Sequence, residues 1–205
     1  MKKRWIIILA IGITLSLTLI FSKFINSPTE EIHYNGKDIE VNSETIASDD
    51  IEKEYQQSKN LGFSNLEVSK DDIANSLINE KLLLQRADKI GIIVSDEEQE
   101  NTFNNFLTNS KLSEEELNTQ LESTGSNLEE FKLEIKNYLL ISKLIDKEVK
   151  PNEITLSDKE FNEFTQDDLD LQNVDFLIND ELLAMKKQEA MQKYIDNLKK
   201  GADIN

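Results

Sequence analysis

Residues 69–91 read SKDDIANSLINEKLLLQRADKIG, and this stretch decides the fold class. Ser69 and Asp72 have the spacing of a capping box, in which each side chain accepts a hydrogen bond from the backbone amide of the other residue. Apolar residues then recur at helical spacing, and Gly91 stands where a helix C-terminus is usually capped. The stretch therefore predicts an amphipathic helix over residues 70–89.

The same start signal recurs along the chain. Four further boxes have this spacing: Ser95 with Glu98, Ser113 with Glu116, Ser126 with Glu129, and Ser157 with Glu160. With a helix that Ser48 opens, they predict helices over 49–59, 70–89, 96–109, 114–123, 127–147 and 158–165, and a last helix from Asn173 or Asp180 to about Lys200. The helix over 127–147 has two apolar faces and is expected to be central, packed against the helix over 70–89.

Composition excludes several classes of mechanism. The 205 residues include no Cys, a single His and only 6 Gly, so a thiol nucleophile, a disulfide framework, a His/Cys zinc site and a glycine-rich phosphate loop are all excluded. A net charge of −17 argues against nucleic acid as a partner. We predict no catalytic residue, no metal and no cofactor. A Ser/Lys pair stays open, although helix caps account for most of the serines.

The N-terminus has the pattern of a membrane segment. Lys2, Lys3 and Arg4 precede an uncharged run from Trp5 to Phe21, which extends to bilayer length over residues 5–25. The basic start places the N-terminus in the cytoplasm and the main domain outside, with residues 5–25 in the lipid bilayer as a single-pass anchor. A cleaved signal peptide is the alternative, and it would make the protein secreted.

The remaining chain divides into a linker and one domain. Residues 26–38 are a polar linker, and the domain covers residues 39–205. Within it, 39–165 is the main helical part, 166–178 is a second linker and 179–205 is a closing helix and strand. Ile39–Val41 alternates apolar and polar residues, which predicts a short strand before a turn.

Aromatic and apolar residues in polar surroundings are the candidate contacts for a polypeptide partner. Leu61 and Phe63 interrupt a polar loop, and Phe161 and Phe164 share one helix face beside an acidic stretch. Exposed apolar groups of this kind are typical of protein-contact sites. Other aromatic residues are expected in the core, namely Phe103, Phe106 and Phe131.

Several runs are similar to one known family. Residues 41–46, VNSETI, with the helix start that follows them, resemble the opening strand and turn of the SurA/PrsA-type chaperone domain, except that Ser43 replaces a usual glycine. Residues 77–87, LINEKLLLQRA, and 91–98, GIIVSDEE, resemble the next segments of that family. The C-terminal run from Lys187 to Ile204 is similar to its returning helix and final strand.

This resemblance implies a mainly α, SurA-like chaperone domain without the parvulin-type isomerase insertion. It implies that residues 202–204 pair with residues 39–41 and that the last helix covers the N-terminal helices. Together with the predicted N-terminal anchor and the lack of candidate catalytic residues, it leads us to expect a membrane-anchored extracytoplasmic chaperone that binds unfolded or nascent exported polypeptides and is not an enzyme. The alternatives are a membrane-anchored adaptor for one specific partner and, third, a prolyl isomerase.

Overall fold

The computed structural model describes residues 32–60, 68–160 and 175–205. Its described part is mainly helical, with one small antiparallel sheet. The elements are β1 (Ile39–Val41), β2 (Glu44–Ile46), α1 (Ser48–Asn60), α2 (Lys70–Lys89), α3 (Asp96–Ser110), α4 (Glu114–Glu122), α5 (Leu128–Glu148) and α6 (Asp175–Lys200). The five helices predicted between residues 49 and 147 are confirmed, and none of their ends differs by more than one residue.

Capping chemistry sets most of the helix starts. The boxes at Ser69, Ser95 and Ser113 are formed, and Ser157 and Glu160 make the same reciprocal pair of bonds. The box predicted at Ser126 is wrong. Asn127 caps α5 instead, because its side-chain oxygen accepts from the Glu130 amide at 3.0 Å, and an asparagine caps a helix as well as a serine does.

A tight hairpin precedes the helices. β1 pairs with β2, a strand that the sequence analysis missed, with Ile39 opposite Ile46. The turn consists of Asn42 and Ser43, whose φ angles are 51° and 71°. Two successive left-handed residues are the mark of the mirror-image turn that matches the twist of a hairpin.

The expected closure of the domain by its tail is confirmed. Val41 and Ile204 form an antiparallel bridge. The Glu40 amide donates to the Asn205 carbonyl at 2.9 Å, and the Asn205 amide donates back to the Glu40 carbonyl at 3.0 Å. β1 therefore lies between β2 and the C-terminal residues.

Replacing Ser43 by Gly is expected to stabilise the protein. A left-handed conformation costs a residue with a Cβ roughly 1–2 kcal/mol, and Gly avoids that cost. The greater conformational freedom of Gly in the unfolded chain offsets part of this gain. We therefore expect the free energy of unfolding to rise by up to about 1 kcal/mol in a chemical denaturation experiment. Ser43→Ala is the control, because it keeps the strained Cβ; an equal gain in both variants would contradict the explanation.

Three buried clusters share the central helices. One joins the hairpin to α1 and α2, a second joins α3 and α4 to α5, and a third joins α2, α5 and α6. Phe103 and Phe131 are fully buried in the second cluster with Phe106 packed against it, as expected. α5 contributes to two clusters, and it packs on α2. Its predicted central position is confirmed.

The packed domain begins before its predicted first residue, Ile39, because Ile32 and Tyr34 lie against the first cluster.

The carboxylate of Glu148 connects helices that are distant in sequence. The Arg86 guanidinium of α2 donates its Nε–H to Glu148 of α5 at 2.9 Å, and the Tyr194 hydroxyl of α6 donates to the same carboxylate. One carboxylate thus joins three helices.

The predicted membrane segment, residues 5–25, lies outside the described residues. Within residues 32–60, 68–160 and 175–205, no helix has the length and the apolar character needed to cross a bilayer.

Candidate functional site

A cleft of about 410 Å³ opens between α1, α2 and α5. Thr45 and Ile46 of β2 and Leu121 of α4 also line it. The cleft exists because α5 packs on α2 mainly through its C-terminal half, where Ile141, Leu144 and Ile145 join Leu83 in one buried cluster. Nearer its N-terminus, α5 meets α3 and α4 instead.

One wall of the cleft is apolar and open to solvent. Leu133 and Tyr138 of α5 line it, with 56% and 45% of their surfaces exposed. Leu77 and Leu84 of α2 lie across from them and are partly buried. Exposed large apolar residues concentrated in a concave surface are typical of a binding site for another molecule.

The floor of the cleft is acidic. Glu54 of α1, Glu80 of α2 and Glu134 of α5 bring one carboxyl group from each of three helices into the lining. Glu80 accepts a hydrogen bond from the Asn137 amide at 3.2 Å. The Oε2 atom of Glu134 is buried and has no hydrogen-bond partner within the described residues.

Burial and mutual repulsion raise the affinity of these carboxyl groups for protons. Burial, followed by the charges of Glu54 and Glu80, raises the pKa of Glu134 to about 8. Burial, followed by the charges of Glu80 and Asp50, raises the pKa of Glu54 to about 7. Burial also raises the pKa of Glu80. At neutral pH, therefore, the floor of the cleft retains protons that ordinary glutamates would have released.

The residues that line the cleft include no histidine. Among the described residues, no group of His, Asp or Glu side chains is arranged to hold a metal ion. The sole histidine, His33, lies away from the cleft beside Asp71, with Nδ1 3.0 Å from Oδ2.

A family profile described as a SurA-like N-terminal domain matches residues 1–145, which is more than two thirds of the chain. The chain belongs to this family. The chaperone SurA of Saccharophagus degradans is 28% identical to this SurA-like chain over 108 residues, which are 53% of this chain and 25% of that protein. The chaperone SurA of Photorhabdus laumondii is 23% identical over 181 residues, 80% of this chain and 42% of that protein. The SurA-like chain spans less than half the length of these relatives.

The fold of the SurA-like chain is also found among solved structures. One chain, from the structures of the virulence factor PEB4 and the periplasmic protein Cj1289, two SurA-like chaperones of Campylobacter jejuni, matches with a TM-score of 0.54. The two sequences are 18% identical, and the match covers 83% of this chain and 98% of that chain. The family profile and the shared fold together confirm the resemblance inferred from the sequence motifs.

The four contact residues predicted from sequence, Leu61, Phe63, Phe161 and Phe164, lie outside the described residues and remain predictions. The cleft was missed, because its three glutamates are hidden among 40 acidic residues. A usable signal does exist. Glu80 stands between Leu77 and Leu84 at helical spacing, and Glu134 is followed by Tyr138 and Ile141 on the same face of α5. A charge within an apolar helical stripe indicates a buried or functional position.

Proposed function

We propose that this SurA-like protein is an extracytoplasmic chaperone that binds unfolded or nascent exported polypeptides in the cleft between α1, α2 and α5. The observation that carries the proposal is the exposure of Leu133 and Tyr138 in a concave surface. Unfolded chains expose apolar side chains that such a wall can cover. Binding withdraws those chains from aggregation by mass action and needs no chemical step.

The place of action is proposed from the N-terminal sequence. Residues 5–25 act as an uncleaved, single-pass anchor in the lipid bilayer, with the N-terminus in the cytoplasm and the domain outside. Residues 26–38 connect the two parts, although Ile32 and Tyr34 already contact the domain. Anchoring keeps the cleft close to emerging chains and raises its effective concentration there. Cleavage after the apolar run would instead release the domain as a secreted protein.

We further propose that the protein has no prolyl isomerase activity and is not an enzyme. Only residues 161–174 separate the helical start at Ser157–Glu160 from α6. A folded domain needs on the order of 50 residues or more, so this stretch does not accommodate one. Leu61, Phe63, Phe161 and Phe164 stay proposed as additional contacts for the bound polypeptide.

Aggregation measurements test this function. The full chain, in a non-ionic detergent, is mixed with several unrelated denatured proteins, and their light scattering is followed after dilution. We expect suppression at near-stoichiometric amounts. Changing Leu133 and Tyr138 together to Ser removes most of the apolar wall. Full burial of one large apolar side chain contributes ~1.5–3 kcal/mol, and about half of each of these two is exposed and available to a client. We therefore expect suppression to weaken by about ten- to a hundredfold, since 1.4 kcal/mol corresponds to tenfold in affinity.

Ile93→Ser is the matched control, because Ile93 is 79% exposed and does not line the cleft. Equal losses in both variants would mean that the effect is general surface hydrophobicity rather than the cleft. Failure of the wild-type protein to protect any client, combined with stoichiometric capture of one native protein, would favour the adaptor. Turnover in a peptide cis/trans assay would instead establish the isomerase.

A further inference from the structure

The cleft is specific in its charge as well as in its apolar wall. Its acidic lining residues outnumber its two lysines, and both lysines already have partners. Lys53 Nζ lies 3.4 Å from Glu130 Oε2, and Lys81 Nζ lies 3.2 Å from Glu44 Oε2 at the hairpin. Within the described residues, the three glutamates of the floor therefore make no ion pair.

An unpaired carboxyl group in such a place is costly to the folded protein. The Oε2 atom of Glu134 is buried from solvent and receives no hydrogen bond from the described residues. A carboxylate in this position is best satisfied by a cationic N–H donor, because charge-assisted hydrogen bonds are the strongest available to it. Tyr138 stands one helical turn from Glu134, so an apolar group attached next to the cation would meet the exposed wall.

We infer that the cleft selects client segments in which a Lys or Arg neighbours a large apolar residue, with Glu54 and Glu134 binding the cation and Leu133 and Tyr138 covering its neighbour. The inference rests on the proposed chaperone function, and it names the class of polypeptide that the cleft prefers. The occupant is an extended, unfolded segment, because only a flexible chain can place its cationic group on the acidic floor and its apolar group against the apolar wall at the same time.

Proton release is the signature of this binding mode. Because burial raises the pKa of Glu54 to about 7 and that of Glu134 to about 8, a cation that enters near neutral pH must displace protons from these carboxyl groups. Affinity for a cationic segment is therefore expected to rise between about pH 6 and about pH 9. The charged or titratable groups that line the cleft are Asp50, Lys53 and Glu54 of α1, Glu80 and Lys81 of α2, and Glu130, Glu134 and Tyr138 of α5.

Calorimetry with paired peptides tests the inference. The probes are a short unstructured peptide containing Leu-Lys-Phe and its twin with acetyl-lysine, which has nearly the same shape but no charge. Each is titrated into the full chain at pH 8 in two buffers of different ionisation enthalpy, which reports protons released. We expect the lysine peptide to bind about tenfold more tightly and to release protons, whereas the twin releases none.

The matched variants carry equal changes in net charge. Glu54→Gln with Glu134→Gln is expected to abolish the preference for lysine and the proton release. Glu97→Gln with Glu115→Gln, two exposed positions outside the cleft, is expected to leave both unchanged. Thermal melts followed by circular dichroism establish that both pairs are folded.

Each other outcome overturns a defined claim. Equal binding of the two peptides, or equal loss of preference in both variant pairs, refutes the charge selection while suppression of aggregation still supports the chaperone. If a low concentration of a divalent metal ion displaced the lysine peptide from the cleft, the occupant would be a metal ion rather than a polypeptide cation. If the wild-type protein neither bound the peptides nor suppressed aggregation, the proposed chaperone function itself would be refuted.

Discussion

Deletion of residues 181–205 is expected to abolish cooperative folding and leave a product that aggregates. Ile195 of α6 is fully buried against Leu83 and Leu144, and Ile204 pairs with Val41 of β1. Removing the segment exposes apolar surface in two of the three clusters and leaves Glu148 without the Tyr194 hydroxyl. Exposed core surface of this extent is the general cause of aggregation of truncated domains.

A single substitution measures how much one buried residue of α6 contributes to stability. Ile195→Ala is expected to lower the free energy of unfolding by about 2–5 kcal/mol, because it opens a cavity at a fully buried position. Met185→Ala in the same helix is the control, since Met185 is 53% exposed and its loss should change stability by less than about 0.5 kcal/mol. Urea denaturation followed by circular dichroism measures both. A soluble protein lacking residues 181–205 that melts in a sharp transition would refute the claim that the tail is needed for cooperative folding.

The stability of the protein is expected to fall as the pH rises from about 5 to 8. Glu54 and Glu134 have a pKa of about 7 and about 8 in the folded protein but an ordinary, lower pKa when unfolded. At pH values between the ordinary glutamate pKa and these raised pKa values, the folded state binds more protons than the unfolded state. Each increase in pH therefore favours unfolding. Below the ordinary glutamate range both states are protonated, and this contribution is fully present.

Glu54→Gln with Glu134→Gln is therefore expected to raise the free energy of unfolding at pH 8 by on the order of 2–4 kcal/mol and to leave it nearly unchanged at pH 5. The two contributions are not additive, since the charge of Glu54 is one of the causes that raise the pKa of Glu134. Urea denaturation between pH 5 and pH 8 measures both proteins. Each also carries His33→Gln, so that the only histidine does not contribute to the pH dependence. Coincident curves for the double variant and its parent would refute the assignment.

Glu98→Gln provides a control of opposite sign. The Lys143 ammonium and the cap at Ser95 hold the pKa of Glu98 down to about 2. This carboxylate therefore stabilises the fold above the ordinary glutamate pKa, and that stability is lost as the pH falls towards 2. Its replacement should lower stability at pH 8, where the cleft variant raises it.

Local chemistry explains why the helices were predictable. A serine hydroxyl and an acid three residues later form a cap from a single turn of chain, so the starts at Ser69, Ser95 and Ser113 need no tertiary information. The error at Ser126 has the same origin. Ser126 and Asn127 are adjacent potential caps, and short-range rules alone do not decide between neighbours of similar strength.

The hairpin was only half predicted, for a related reason. Ile39–Val41 has the alternation of a strand, but Glu44–Ile46 is too short and polar to be distinguished from a turn. Its pairing depends on left-handed backbone at Asn42 and Ser43, and serine is not a residue that signals this conformation. The pairing of β1 with the tail came from the family resemblance, since no local pattern connects Glu40 with Asn205.

The positions of the helices, most of their caps, the chaperone family and the acidic character of the chain could be predicted from sequence, because they depend on spacing within a few residues or on composition. The cleft proposed as the binding site, in contrast, depends on the tertiary fold. Glu54, Glu80 and Glu134 are separated along the chain, and they form one floor only when α5 packs between α2 and the α3–α4 pair. Their raised pKa values arise from burial and mutual repulsion, which are properties of distance in space rather than of position in sequence.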